Sequence, residues 1–250
     1  MKITWGCALL VLSMAMPAAA GAVEIEVYDR TSGRTLTVHQ HEGRRYVVGE
    51  PSHEYQLVLR NDSGGRVLAV TSVDGVNVIT GATADPAQSG YVLGAYDSLS
   101  IQGWRKSLEE TAAFFFTPHR NSYAARTGRP FDVGVIGIAL FREKARCCKR
   151  FGGDGPAPLD DSAAKEPGAA APEAQGRRAE RESLGTGHGR REQSSARYTE
   201  FERASDTPDE ILAIYYDSRA NLVAQGVIPR DRQVAVRKPR PFPGSFVPDP

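Results

Sequence analysis

NDSGGRVLAVTSVDGVNVI, residues 61–79, decides the architecture. Asn61-Asp62-Ser63-Gly64-Gly65 is the strongest turn signal in the chain. Val67-Leu68-Ala69-Val70 then makes an apolar run of strand length. Asp74-Gly75 is the dipeptide that suits a tight two-residue reversal, and Val76-Asn77-Val78-Ile79 is the returning arm. A chain that folds back this quickly builds antiparallel sheet.

The same rhythm extends outward in both directions. Upstream, Glu24 to Tyr28, Arg34 to His39 and Tyr55 to Leu59 alternate apolar with polar groups, as half-buried strands do. Thr31-Ser32-Gly33 and Pro51 punctuate them, and Tyr46-Val47-Val48 adds a shorter run. Downstream, Ala112 to Thr117 and Val133 to Phe141 are continuously apolar, which predicts central strands buried on both faces. Gly134 and Gly137 leave room for another backbone or a large side chain to come close. Asn121 to Arg126 has room for one helical turn. Short strands at this spacing, without a long amphipathic helix, predict a mainly β protein: an antiparallel β-sandwich, jelly-roll or Ig-like, over residues 23–146.

Residues 1–22 read as an export signal: Lys2, then the apolar run Ile3 to Met16, the breaker Pro17, and small residues that allow cleavage after Ala20 or Ala22. That apolar run is too short to span a bilayer, so the mature chain is expected to be periplasmic or secreted and not transmembrane. Residues 147–195 are rich in alanine, glycine, proline and balanced charge, which predicts a disordered linker. Within 196–229, Glu210 to Tyr216 and Asn221 to Ile228 read as the two arms of a C-terminal β-hairpin. A lone hairpin is marginal in water, so it should dock on the sandwich. Residues 230–250 form an extended tail rich in proline and arginine.

The formal charge of the 250-residue chain is only +1, too even a balance for whole-surface binding of nucleic acid. Once Cys7 leaves with the signal, only the adjacent Cys147 and Cys148 remain. Neighbours cannot staple distant parts of the chain. They would be free thiols, a strained and redox-labile vicinal bridge, or links to another chain in a disulfide-bonded dimer.

Candidate sites each have a plain structural alternative. Trp104 and Arg105, with Tyr91 and Tyr96 upstream, could stack on a sugar or grip a peptide carboxylate. Equally, Trp104 could plug one end of the sandwich while Arg105 pairs locally. His39 and His41 share one side of a strand and could hold a metal, with His53 a possible third ligand and His188 a further candidate; the alternative is a solvated edge. Gly185 to Glu192 looks like a phosphate loop but lacks its Lys-Ser/Thr ending, and reads as flexible chain. Ser162 and Lys165 match a serine–lysine spacing by chance. Asp74, Gly75 and Asn77 could bind calcium, yet a hairpin turn uses the same residues.

RVLAVTSVDGVNVITG, SGYVL, IQGWR, AAFFFT, SYAARTGRP and VGVIGIALF, followed by LGTGHGRRE, FERAS and ILAIYYDSRANLVAQGVI, resemble a family of uncharacterised secreted proteins of proteobacteria. The resemblance implies export and a two-part layout, and carries over no catalytic residue. With no catalytic constellation and no cofactor expected, the reading favours a binding or structural module of the cell envelope, its partner a protein or glycan. The alternative is an exported metalloprotein or hydrolase using His39, His41 and His188.

Overall fold

A computed structural model describes residues 23–145 and 183–230. The export signal, Cys147 and Cys148, the Ser162–Lys165 spacing, most of the expected linker and nearly all of the tail lie outside the described residues.

Up to residue 105 the strands are β1 (Val23–Asp29), β2 (Arg34–Thr35), β3 (His39–His41), β4 (Arg44–Val48), β5 (Glu54–Asn61), β6 (Val67–Val73), β7 (Val76–Asn77), β8 (Tyr91–Leu93), β9 (Ser98–Ile101) and β10 (Gly103–Arg105). Beyond it come β11 (Glu110–Pro118), β12 (Val135–Arg142), β13 (Leu184–Gln193) and β14 (Glu210–Asp217). Two short helices complete the set, α1 (Tyr123–Arg126) after a 3-10 turn and α2 (Arg219–Ala224) after β14.

The first sheet runs β10-β11-β5-β1-β2, with β9 beside β5 and β13 beside β11. The second runs β3-β4-β14-β12-β6-β7, with β8 beside β6. All pairings are antiparallel except that of β14 with β4. The protein is mainly β, as expected, and its two sheets make a sandwich. Inner-face residues such as Val27, Leu57 and Phe116 of the first sheet join Val47, Ile136 and Ile214 of the second in one core. Each such side chain contributes roughly 1.5–3 kcal/mol on burial.

The continuous apolar run of β12 has a distinct cause. Leu68, Val70, Ala139 and Phe141 form a second cluster on the outer face of the second sheet, with Phe201 packed against it. Residues 194–209 cross from β13 to β14 as a strap over that face. Lys144 N–H donates to Glu202 O at 2.8 Å and Ala204 N–H to Arg142 O at 2.9 Å. The Arg203 guanidinium lies 4.1 Å from the centre of the Phe141 ring.

Three expectations need correction. The expected disordered linker, 147–195, ends too late: Leu184–Gln193 is a ten-residue strand. Its glycines alternate, and a Cβ on Gly187 would lie 2.2 Å from the Phe115 ring. The bare face of β13 is what lets that ring lie across it.

The expected C-terminal hairpin is a strand followed by a helix. Ser218 caps α2 by accepting from Asn221 N–H. Gly226, at φ +81°, ends it. Val227 N–H donates to Leu222 O and Gly226 N–H to Val223 O, and Leu222 and Val227 share a small core cluster. This is a Schellman motif with its apolar contact.

The expected single strand from Arg34 to His39 is broken. Its first part, β2, pairs with β1, whereas β3 pairs with β4 in the other sheet. The chain between them crosses from sheet to sheet.

Candidate functional site

Asp74 occupies the first corner of the β6–β7 hairpin. Its φ is +52° and that of Gly75 is +70°, the mirror-image turn that fits strand twist. Its carboxylate points inward and is fully buried. Oδ1 accepts from Gly134 N–H at 2.9 Å and from the Tyr216 hydroxyl at 2.5 Å. Oδ2 accepts from Thr186 N–H at 2.7 Å. Thr186 Oγ1 then lies 2.6 Å from the Tyr216 hydroxyl and 2.6 Å from that of Tyr55.

Only one proton arrangement gives each of these hydroxyls an acceptor within the group. Tyr55 donates to Thr186, Thr186 to Tyr216, and Tyr216 to the ionised carboxylate. The chain pins Tyr55 and Thr186 of the first sheet to Asp74 and Tyr216 of the second. Burial pushes the Asp74 carboxyl up to about 6, against the pull of its three donors. Burial and the Asp74 charge push both tyrosines well above their ordinary value, so they stay neutral.

Asp217 is a second inward carboxylate, 9% exposed. It accepts from Ser218 N–H at 2.7 Å, Asn221 Nδ2 at 2.9 Å and Leu184 N–H at 3.2 Å. Asp74 and Asp217 thus hold the backbone N–H groups of Thr186 and Leu184 at the start of β13. A crevice of about 150 Å³ is lined by Tyr46, Tyr215, Leu222 and Gln225 together with Asp217 and Leu184.

A larger cleft, about 340 Å³, lies where the chain crosses between sheets. Arg34, Leu36, His39, Val48, Glu50 and Arg219 line it. Behind Glu50, His53 Nε2 stands 3.6 Å from the carboxylate. Its Nδ1 is 2.8 Å from Asp29 Oδ2. Thr31 and Ser32 N–H, each at 2.9 Å, fix that carboxylate from the other side. Burial works to raise the Asp29 carboxyl, but the hydrogen bonds from His53 and Ser32 outweigh it and hold the group below its ordinary value. The ionised Asp29 therefore accepts a hydrogen bond from His53 Nδ1–H, on the opposite side of the ring from Glu50.

The residues singled out from the sequence are scattered. Trp104 is a core residue, 3% exposed, edge-on to Phe114, its Nε1 donating to Gly187 O at 3.1 Å. Arg105 does meet Tyr91: its Nε donates to the tyrosine hydroxyl at 3.1 Å, and Nη2 donates to Ser194 Oγ at 3.1 Å. Tyr96 stands apart, 77% exposed, in a turn that hydrogen-bonds Ser63. His39 and His41 sit on one side of β3, with His41 3.8 Å from Glu42. His188 belongs to the other sheet, 5.6 Å from the Tyr123 ring, where burial and Lys106 lower its pKa. Among the described residues, no group of three or more His, Cys, Asp or Glu side chains is placed to hold a metal. Asn77 serves its own turn, accepting from Ile79 and Thr80 N–H.

The reading of the sequence missed the Asp74, Tyr216, Thr186 and Tyr55 chain entirely. Asp-Gly spoke only for a turn, and nothing local signals that four distant residues converge. Comparison of the chain with protein-family models, with characterised proteins and with solved structures returned no match.

Proposed function

We propose that the protein is an exported binding module of the cell envelope, a rigid two-sheet scaffold that presents a ligand cleft at one edge. One observation carries the binding half. The cleft between β2 and β3–β4 is lined by Arg34 and His39, which make no side-chain hydrogen bond or ion pair among the described residues. Arg30, Arg190 and Arg142, by contrast, are held by Glu192, Glu54 and Asp209, which leaves the cleft volume to be judged by itself. Its volume is at the lower end for small-ligand sites, on the order of 300–1,000 Å³, and Leu36 and Val48 supply apolar wall. The export half rests on the leader-like residues 1–22.

Screening a small-molecule library against the ¹⁵N-labelled mature chain tests the cleft. Amide shifts gathered at residues 34–39, 48–50 and 219 support the proposal. Hits that all map elsewhere, or no hits, overturn it.

A further inference from the structure

We infer that the crevice beside Asp217 takes a primary ammonium group carried on a short, unbranched carbon chain. The crevice shares no lining residue with the edge cleft, so this site goes beyond the binding-module reading and stands or falls without it.

The carboxylate supplies a charge and an unfilled acceptor. Asp217 is buried, and its four partners are all neutral donors. Ser218 N–H, Asn221 Nδ2 and Leu184 N–H donate to Oδ1, and Gln225 Nε2 donates to Oδ2. That is how an ionised carboxylate is held. Among the described residues no cation pairs with it. A buried charge without a counter-charge is costly, and a cation from solution would relieve that cost. Oδ1 is filled by its three donors. Oδ2 has a single long hydrogen bond, 3.4 Å from Gln225, where a carboxylate oxygen can accept two. Asp217 and Gln225 both line the crevice. The ligand therefore brings both a positive charge and an N–H.

The walls select the kind of cation. Tyr46, Tyr215 and Tyr216 line the crevice, and the Tyr46 and Tyr215 ring centres stand 5.5 Å apart. Tyrosine faces attract cations. Tyr215 already holds one, the Arg44 guanidinium 5.3 Å from its ring centre, but Arg44 does not line the crevice. Leu184 and Leu222 add apolar wall that suits methylene groups. A hard metal ion needs about six oxygen ligands. Among the described residues no group of three or more His, Cys, Asp or Glu side chains could begin such a set. A quaternary ammonium has no N–H for Oδ2. The crevice of about 150 Å³ holds about five heavy atoms, at roughly 30 Å³ for a water-sized group. That is an ammonium and four carbons, the end of a lysine side chain or of a short diamine.

The test titrates butylammonium, its neutral analogue butanol, tetramethylammonium and potassium into the ¹⁵N-labelled protein at neutral pH. Butylammonium should shift the amides of Tyr46, Leu184, Tyr215 and Asp217, and the other three should not. Butanol or potassium acting equally would overturn the assignment to an organic cation. Tetramethylammonium acting equally would overturn the hydrogen bond to Oδ2. No shift with butylammonium, or shifts that map elsewhere, would overturn the inference as a whole. Nα-acetyl-lysine methylamide and 1,4-diaminobutane then tell a partner's lysine from a free amine; one or both should bind, and failure of both would overturn the chain-end assignment. Asp217→Asn should weaken butylammonium about thirtyfold or more. Should that variant lose the dispersed spectrum of the fold, Tyr215→Leu carries the test, with a loss of about two- to fivefold. Unchanged affinity in either folded variant would contradict the site. None of these results bears on the edge cleft, which the library screen reads at its own residues.

Discussion

The carboxylate of Asp74 stands at a hairpin corner, where such side chains usually face water. Here it faces inward because three donors wait for it: Gly134, Thr186 and Tyr216. Its carboxyl is raised from 3.8 to about 6, so the folded state keeps the proton longer than the open chain does. Stability from this group is therefore greatest below pH 3.8 and falls as pH rises through about 6, by about 3 kcal/mol in all. Asp74→Asn should erase that decline in denaturant melts between pH 4 and 6.5. At neutral pH it should also cost about 1–3 kcal/mol, since an amide N–H would face another donor. A variant whose pH profile parallels wild type would refute this role.

Ser52 makes a smaller point of the same kind. It takes φ +71° at the third position of the turn Glu50-Pro51-Ser52-His53, where glycine is favoured. Ser52→Gly should stabilise the fold by up to about 1 kcal/mol, read as a higher melting midpoint. No change or a loss would mean the turn is held without strain.

At the scale of elements, legibility followed the strength of the period-two pattern. Strands β1, β5, β6 and β12 announce themselves because one face is apolar, or because both are covered. Strand β13 does not, since its alternate residues Gly185, Gly187 and Gly189 look like flexible chain until Ser122 and Val133 are seen against the first and Phe115 across the other two. The alternation was in the sequence all along, but with hydrogen in place of side chains it carries no hydropathy. Helix α2 had legible signals too, Ser218 before it and Gly226 after it. The run Leu222 to Ile228 is apolar enough to mimic a strand. Gly187→Ala should destabilise the protein by roughly 1–3 kcal/mol through overpacking. In a Phe115→Ala background the loss should largely vanish, which a double-mutant cycle reads directly. Equal losses in both backgrounds would mean the ring is not what the glycine accommodates.

For the whole molecule, the described chain is two pieces that make one sandwich. Residues 183–230 supply a strand to each sheet, β13 beside β11 and β14 between β12 and β4. They also supply Arg219 to the cleft. The pieces are tied by Arg30–Glu192 at 2.7 Å, by Arg190–Glu54 at 2.9 Å and by the Asp74 chain. Residues 23–145 and 183–230, co-expressed as separate chains, should therefore copurify. Recovery of the first piece alone in folded form would argue that the second is an accessory. The outline of the sandwich could be read from the sequence, whereas the cleft could not. It exists because residues 34–41 change sheets midway, and a run of alternating residues does not say which partner each half will find.

The most direct test is hydrogen exchange across Leu184–Gln193 in the purified protein. If this glycine-rich stretch is an integral strand, the amides of Leu184 and Thr186, held by Asp217 and Asp74, should be protected to the degree seen in β5 and β12. Exchange there at the rate of an open chain would contradict the account.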